Sequence, residues 1–141
     1  MEMNFVIYNV LPQEARNIRT AVFIDEQGFE NEYDSTDAVA EHIVAYCDEL
    51  AVGVCRVFVN EEKRGDYILG RLAVLKEHRG RDIGAAIVAE AEKYVKQNSG
   101  SSLSLHSQLS AAAFYEKLGY QRYGVIEYEE DCPHIWMKKL V

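Results

Sequence analysis

The most constraining feature of this chain is an abrupt change of hydrophobic period between residues 67 and 100. Residues 67–75 are apolar and rich in branched side chains, which predicts a buried strand. After a short basic turn at residues 76–81, apolar side chains recur at helical spacing until Gly100 ends the pattern. The sequence therefore predicts a strand that passes through a glycine-containing turn directly into a long helix.

This strand–turn–helix unit is suited to binding an anion. The N–H groups of a helix's first turn point outward, and the helix dipole adds partial positive charge there. Gly80 and Gly84 carry no side chain, so a ligand can approach the backbone closely. Arg79 and Arg81 add charges that match phosphate geometry. The turn is a candidate phosphate loop, and a solvated basic turn is the structural alternative with the same composition.

Two common phosphate-binding loops do not match this turn. A Walker loop needs Lys followed by Ser or Thr at the helix start, where this chain has Ile-Gly-Ala-Ala at residues 83–86. A dinucleotide fingerprint needs three glycines at fixed spacing, and this turn offers only Gly80 and Gly84. The remaining pattern reads Arg81-x-x-Gly84-x-Ala86, after Arg79-Gly80 and the strand residues Arg71-Leu72-Ala73-Val74.

The remaining pattern resembles the acyl-CoA pyrophosphate loop of the GNAT superfamily, the Gcn5-related N-acetyltransferases. Residues 19–27 resemble the first helix of its ElaA/YjcF-like branch, where an Arg-x-x-Val-Phe-x-x-Glu-Gln pattern recurs. Residues 131–137 resemble the ending of the same branch, where Pro-His-x-x-Met recurs. The resemblance covers most of the chain and implies a single GNAT acetyltransferase domain over residues 1–141.

Hydrophobic period and turn residues predict the remaining elements, and the resemblance supplies their topology. Strands are expected at residues 4–10, 41–47, 51–59, 67–75, 102–106, 120–127 and 134–139, and helices at residues 11–28, 82–98 and 111–118. Ser107 or Ser110 can cap the last helix. The expected fold is α/β (α+β), with a mixed, mostly antiparallel central sheet and helices on both faces. The acidic residues 29–40 predict a loop that borders the acceptor site or is simply a solvated surface loop.

Composition restricts the class of partner. The net charge is -8 and no basic tail or stripe is present, which argues against nucleic-acid binding. Three widely spaced cysteines without a C-x-x-C pair fit reduced thiols in a cytoplasmic protein. The first residues do not read as a signal peptide, and no apolar run is long enough to span a bilayer, so no membrane association is expected.

The resemblance implies acetyl-CoA as the co-substrate and assigns its contacts. Its pyrophosphate would lie on the basic turn and the first helical residues, and its pantetheine arm would bond to the backbone of a bulged central strand. The residues assigned in this way are Leu72, Ala73, Val74, Arg79, Gly80, Arg81, Asp82, Ile83, Gly84, Ala85 and Ala86. Asp82 stands where many relatives carry glycine or a neutral residue. Its charge either weakens phosphate binding slightly, or caps or charge-balances the start of the helix.

Residues 111–120 resemble the GNAT segment whose tyrosine is the general acid. Transfer from a thioester expels a thiolate, and a thiol titrates near ~8.5, so a nearby hydroxyl donor eases its departure. Tyr115 fits this role, with a reference pKa of about 10. The spacing of Phe114, Tyr115 and Leu118 also fits core aromatics on one helix face.

An acceptor ammonium must lose a proton before it can attack, so the site also needs a base. The candidates are Glu26, His42, His106 and His134, or a carboxylate acting through water. We expect His134 and Glu26 to line the acceptor pocket, and the sequence leaves open which of them acts as the base. The scattered histidines and cysteines have no zinc-ligand spacing, so no metal is expected.

The resulting hypothesis is an acetyl-CoA-dependent N-acetyltransferase. An amine would attack the thioester directly in a ternary complex, without a covalent enzyme intermediate. The alternative is a non-catalytic GNAT-fold protein that holds acyl-CoA as a sensor or serves as an interaction module. Tyr115 favours the enzyme, because a pure binder needs no acid for a thiolate. The sequence does not name the acceptor amine, and a homodimer is common in the family.

Overall fold

A computed structural model describes residues 2–141, in which seven strands form one sheet. The strands are β1 (Met3–Tyr8), β2 (Glu41–Cys47), β3 (Leu50–Val59), β4 (Asp66–Val74), β5 (Ser102–Gln108), β6 (Gln121–Glu129) and β7 (Cys132–Leu140). The helices are α1 (Gln13–Arg19), α2 (Ile83–Gln97) and α3 (Ala112–Lys117), and α1 continues directly into a π-helical segment, Thr20–Glu26. Short 3-10 turns occupy Ser35–Ala38, Lys76–His78 and Leu109–Ala111.

The sheet is mixed and mostly antiparallel, as predicted. Its strand order is β1-β2-β3-β4-β5-β7-β6, and each neighbouring pair is antiparallel except β4 and β5. A parallel pair cannot be joined by a tight turn, so the chain crosses over between β4 and β5 through α2. This crossover places the start of α2 just beyond the end of β4.

Helices cover both faces of the sheet, which confirms the predicted layers. On one face, α1 and its π-helical continuation bury Ala15, Ile18 and Val22 against Val44, Val54 and Ala73. On the other face, α2 and α3 pack on the larger core, to which they contribute Ile83, Ile87, Val88, Ala91, Val95, Ala112 and Tyr115. In the described part of the chain, no helix combines the length and the apolarity that crossing a bilayer requires.

The element ends differ from the predictions in two places that matter. The first helix does not keep the α period as far as Gly28, because the segment Thr20–Glu26 is π-helical, with Gln27 N–H donating to the Val22 carbonyl at 3.1 Å. The capping prediction for the last helix is wrong. Ala111 occupies the cap position without a side-chain bond, and the Ser107 hydroxyl instead donates to the Gln108 carbonyl at 2.7 Å.

The acidic loop before β2 is not a solvated surface loop, because its carboxylates are paired with arginines from three elements. The fully buried Arg19 donates to Glu32 at 2.8 Å and to Asp37 at 2.7 Å. The other pairs in the network join Arg56 to Asp34 and Asp37, and Arg71 to Glu32 and Asp34. Three positive and three negative side chains therefore balance one another and fix the loop against the sheet.

Candidate active site

The parallel strands β4 and β5 separate halfway along their length. Their pairing runs from Asp66 with Ser102 to Leu69 with Leu105 and stops there. From Gly70 onward, the edge of β4 that faces β5 has no strand partner in the described chain. Apart from the Val74 carbonyl, which accepts from Arg79 at 3.0 Å, the backbone N–H and C=O groups on this edge are therefore available to a ligand that enters the gap.

A bulge in β4 lies at the point where the strands part. Gly70 pairs with Arg56 and Ala73 pairs with Val54, so two residues of β4 stand opposite one residue of β3. One of the two, Arg71, adopts φ of +53°, a left-handed conformation that is rare for side chains of this size. The guanidinium of Arg71 holds this conformation by donating to the Glu32 carbonyl at 2.9 Å. The bulge was implied by the resemblance, and it turns the strand edge toward the gap.

A cavity of about 380 Å³ occupies the gap between β4 and β5. Its apolar lining includes Phe23, Phe29, Phe58, Phe114 and Trp136. The β3–β4 wall contributes Arg56 and Arg71, and the opposite wall contributes His106, His134, Glu129 and Glu130. The cavity thus combines an aromatic lining with titratable groups on one side, a composition typical of a small-molecule site.

Tyr115 reaches this cavity from α3 and is 7% exposed. Its ring packs edge-on against Phe114 at 5.0 Å and Tyr120 at 5.9 Å. Burial raises the pKa of Tyr115, because the phenolate would lose its hydration. The hydroxyl therefore stays protonated at neutral pH and is available as a hydrogen-bond donor. Tyr115 is therefore both a core aromatic and a cavity residue, and its role as the general acid stays a prediction.

Two histidines share one carboxylate on the opposite wall. Nδ1 of His106 lies 2.5 Å from Oε2 of Glu129, and Nε2 of His134 lies 3.8 Å from the same oxygen. The His106 ring stacks on Trp136 at 4.7 Å and lies 5.1 Å from the His134 ring. These contacts fix both imidazoles in the cavity beside a negative charge.

The hydrogen-bond partners show which nitrogen of each ring donates. Nδ1 of His134 lies 2.9 Å from the Cys132 carbonyl, which can only accept, so this nitrogen carries the proton. Nδ1 of His106 likewise donates to the Glu129 carboxylate. When either ring is neutral, Nε2 therefore has a lone pair. His134 lines the cavity as predicted, and its Nε2 has the chemistry of a base.

The glutamates of this wall were missed by sequence reasoning. The β6 ladder is interrupted between Tyr123 and Glu127, where Gly124 adopts φ of +77°. Beyond this bulge, Glu127 pairs with His134, which places the acidic end of β6 at the cavity. Only the run of acidic residues at 127–131 could have signalled this cluster. Within residues 2–141, no three or more His, Cys, Asp or Glu side chains are grouped to hold a metal ion.

Glu130 lines the cavity and binds the backbone of the acidic loop. Its carboxylate accepts the backbone N–H of Glu30 at 2.8 Å and that of Asn31 at 3.0 Å. The turn between β6 and β7 is thereby tied to the acidic loop, although the two lie a hundred residues apart in the chain. This contact places Asn31 and Glu32 along the cavity.

Glu26, predicted beside the acceptor, does not line this cavity. Its carboxylate forms a bidentate pair with Arg79, with both N–O distances at 2.7 Å. Hydrogen bonds from Arg79 lower the pKa of Glu26, which makes it a weak base. The π-helical segment explains why Glu26 lies outside the cavity. It changes the angle between successive side chains, so that Gln27 lines the cavity instead. The Gln27 side chain accepts a bond of 2.8 Å from Gln108 of β5.

His42 also lies outside the cavity. Its Nε2 lies 3.0 Å from the Asp37 carbonyl, beneath the arginine–carboxylate network, and burial lowers the pKa of this histidine. Arg79, predicted on a phosphate, uses its guanidinium to join Glu26 to the Val74 carbonyl, which it meets at 3.0 Å. Its phosphate contact stays a prediction.

The turn before α2 has the form of an anion cradle. Gly80 adopts φ of +80° and Asp82 adopts φ of +60°, so Asp82 occupies a conformation that favours glycine. The Asp82 side chain makes no capping bond, so the capping role expected for it is wrong. A Cβ on Gly80 would meet no atom within 4 Å. The space beside Gly80, just before this fifteen-residue helix, is therefore open, and binding of a pyrophosphate at the helix start stays a prediction.

Comparisons with known proteins agree with this architecture. A model of the acetyltransferase (GNAT) domain matches residues 11–141. The uncharacterized N-acetyltransferase YjcF of Bacillus subtilis is 35% identical over 130 residues, which cover 90% of this chain and 91% of that protein. These two matches span nearly the whole chain, and they agree with the branch indicated by residues 19–27 and 131–137.

Solved structures confirm the fold. Escherichia coli ElaA superposes with a TM-score of 0.83 at 23% identity, covering 98% of each chain. An aminoglycoside 6'-N-acetyltransferase complexed with coenzyme A superposes with a TM-score of 0.72 at 20% identity, covering 99% of this chain and 97% of the other. Sheet order, splayed strands and sequence match all agree, and the chain belongs to the GNAT acetyltransferase family.

Proposed function

We propose that this protein is an acetyl-CoA-dependent N-acetyltransferase that acetylates an amine by direct attack. The observation that carries the proposal is the cavity in the gap between β4 and β5. It is lined by a buried tyrosine hydroxyl on one side and by two histidines with a shared carboxylate on the other. A thioester held between them would meet a donor for its sulfur and a base for its attacker.

Backbone groups bind most of the co-substrate in this proposal. The N–H groups at the start of α2, in residues 83–86, and the Arg81 side chain hold the pyrophosphate. The unpaired edge of β4 at Leu72, Ala73 and Val74 bonds to the pantetheine arm, as an added strand would. A backbone N–H of the same edge stabilises the carbonyl oxygen as negative charge develops on it. Glu26 supports this arrangement by holding Arg79 against the end of β4.

The proton path runs from the amine to the histidine pair. Nε2 of His134 takes the proton of the acceptor ammonium, and Glu129 stabilises the resulting imidazolium. The freed electron pair forms the C–N bond at the thioester carbon as the C–S bond breaks. The sulfur leaves with that bond's electrons, and the Tyr115 O–H donates a hydrogen bond to it. The nitrogen loses its second proton as the amide forms, and the thiolate takes up one proton, so coenzyme A is released as the thiol. The raised pKa of Tyr115 makes it a donor to the thiolate more than a source of a free proton.

Co-substrate binding is tested first, by thermal shift with acetyl-CoA and with ATP as the control nucleotide. A ligand at a hundredfold excess over its dissociation constant stabilises the folded state by about 2.7 kcal/mol. For a domain of this size, that corresponds to roughly 8 °C in the unfolding midpoint. A saturable shift with acetyl-CoA and little shift with ATP is expected. An unchanged midpoint at high acetyl-CoA contradicts the proposal.

Catalysis is tested by thiol release from acetyl-CoA over a panel of amines. Tyr115→Phe is expected to lower turnover and to keep the acetyl-CoA shift. Tyr120→Phe is the matched control, because Tyr120 is also a buried aromatic but its hydroxyl donates to Glu92 at 2.8 Å. It is expected to lose stability and keep activity. Acetyl-CoA binding without any amine-dependent thiol release would favour the alternative, a non-catalytic sensor.

A further inference from the structure

Two buried polar atoms of the cavity wall have no hydrogen-bond partner within residues 2–141. They are Nε of Arg56 and Nε2 of His106. The Arg56 side chain is 7% exposed. Glu127 Oε1 lies 3.4 Å from the histidine nitrogen but without hydrogen-bond geometry. A buried unpaired polar atom is costly, so both atoms point to groups that a bound ligand supplies.

The two atoms lie across the gap from each other, in one row of the sheet. Arg56 of β3 pairs with Gly70 of β4, and His106 of β5 pairs with Trp136 of β7. The last paired residues of β4 and β5 are Leu69 and Leu105, so Gly70 and His106 are the first residues on either side of the opening. A small ligand in the cavity can therefore meet both atoms at once.

Gly70 keeps the space beside Arg56 open. A Cβ built on this residue would stand 3.5 Å from Nε and 3.9 Å from Cγ of Arg56, with no other atom within 4 Å. Gly70 does not have a left-handed backbone, since it is absent from the residues with positive φ in the described chain. Glycine is therefore not required by conformation here. Its lack of a side chain leaves the space beside Nε of Arg56 free of a Cβ.

The chemistry of each atom defines the group that it binds. An arginine Nε–H can only donate, so it requires an oxygen or another acceptor on the ligand. On the other wall, Glu127 stands beside Nε2 and Glu129 beside Nδ1 of His106, and both carry negative charges. That side of the cavity therefore suits an amine N–H. The ligand carries its amine and an acceptor oxygen close together.

The charge balance of the cavity favours a neutral oxygen. Both terminal nitrogens of Arg56 already donate to carboxylates, at 2.7 and 3.2 Å to Asp34 and at 3.0 Å to Asp37. The arginine charge is thus matched before any ligand binds. Glu127, Glu129 and Glu130 add negative charge on the far wall, so a free carboxylate would be repelled.

We infer that the acceptor is a primary amine next to a neutral carbonyl oxygen, as in an amino-acid amide or the amino terminus of a peptide. The carbonyl accepts from Nε of Arg56 beside Gly70, and the amine lies between the two histidines. This inference rests on the proposed acetyl transfer in the same cavity. It defines the acceptor by a hydrogen bond from Arg56 to an uncharged oxygen on one wall and by a contact of the cationic amine on the opposite wall.

Four amines that share the same branched alkyl group test which oxygen the acceptor carries next to its amine. Leucinamide and leucylglycinamide carry the neutral carbonyl, leucine carries a carboxylate, and isopentylamine carries neither. Thiol release from acetyl-CoA is measured with each probe on the full chain. KM for leucinamide is expected to be about tenfold lower than for isopentylamine, the value of one hydrogen bond to the carbonyl oxygen. Comparison of the two amides distinguishes a small amide from a peptide amino terminus as the source of the carbonyl.

Gly70→Ala tests the position of the carbonyl. The added methyl group makes only ordinary contacts with Arg56, so the variant is expected to keep its unfolding midpoint within a few degrees. It fills the space beside Nε, and most of the tenfold preference for leucinamide over isopentylamine is expected to disappear. Because amine basicity differs among the probes but not between the two proteins, the change in the KM ratio isolates the carbonyl contact.

The outcomes separate this inference from the proposed function. Three results would overturn the inference while leaving acetyl transfer intact. The first is equal KM values for leucinamide and isopentylamine, and the second is a lower KM for leucine than for leucinamide. The third is a preference for leucinamide over isopentylamine that is as large in Gly70→Ala as in the unchanged chain. Where no probe turns over, the thermal shift of the dead-end complex with coenzyme A decides. A leucinamide-specific shift supports the inference, and its absence contradicts it. Failure to bind acetyl-CoA at all contradicts the proposed function instead.

Discussion

Asp37→Asn is expected to destabilise the protein in a way that depends on pH. The Asp37 side chain is 10% exposed and accepts from Arg19 and Arg56 at 2.7 and 3.0 Å. Hydrogen bonds and charges from Arg19, followed by those from Arg56, outweigh burial and lower its pKa from 3.8 to about 2. Since a tenfold change in proton affinity is worth about 1.4 kcal/mol, this ionisation adds roughly 2–3 kcal/mol to the free energy of unfolding at neutral pH.

The direction of this pH dependence follows from which state of the protein binds more protons. The folded pKa lies below the unfolded one, so between about pH 4 and pH 2 the unfolded chain binds more protons than the folded one. The contribution is fully present above pH ~5, is about half lost near pH 3, and vanishes below pH ~2. Urea unfolding at pH 7 and at pH 3 measures this contribution as the difference in the free energy of unfolding between the unchanged chain and Asp37→Asn. Glu32, whose pKa burial raises, is present in both proteins and affects that difference little.

The matched control is Asp34→Asn. Asp34 belongs to the same network and accepts from Arg56 at 2.7 Å, but its side chain is 40% exposed. Water screens an exposed pair, so its loss is expected to cost under about 1 kcal/mol. The reasoning is refuted if Asp37→Asn and Asp34→Asn destabilise equally, or if the effect of Asp37→Asn is the same at pH 3 as at pH 7.

Three further predictions concern the cavity and the loops around it. Tyr115→Phe is expected to lower kcat about a hundredfold or more while acetyl-CoA binding persists, as thiol-release kinetics and thermal shift will show; unchanged kcat would remove Tyr115 from the chemistry. Arg81→Ala is expected to raise the acetyl-CoA dissociation constant several-fold, and an equal constant by calorimetry would refute the phosphate assignment. The Glu130 carboxylate accepts the backbone N–H groups of Glu30 and Asn31, so Glu130→Gln is expected to speed amide hydrogen exchange at these two residues. Unchanged exchange would mean that the loop is fixed without that carboxylate.

The sheet could be predicted from the sequence because its signals are local. The period-two runs and turn residues set the strands, and β2 was predicted with the bounds that the structure has. The order of the strands was not contained in those signals, and it came from the resemblance in residues 71–86. The separation of β4 and β5 follows from the bulge at Arg71, and nothing in an arginine's identity predicts a left-handed backbone.

The site was predicted unevenly for a related reason. Tyr115 and His134 stand in recurring patterns, so sequence reasoning reached them. Glu26 also stands in such a pattern, but the π-helical segment before it changes which side chain faces the cavity. Glu129 lies in an acidic stretch like any other, and only the pairing of β6 with β7 brings it between two histidines.

The buried ion network explains how an acidic protein can place arginines on a cavity wall without making that wall strongly positive. Arg56 and Arg71 line the cavity, and Glu32, Asp34 and Asp37 match their charges. Such a wall offers hydrogen-bond donors in fixed positions but little net attraction for anions. The unbalanced charge lies opposite, on the glutamates of β6 and the turn after it. The cavity therefore draws the cationic end of a ligand toward the histidines and leaves a neutral oxygen as the best partner for Arg56.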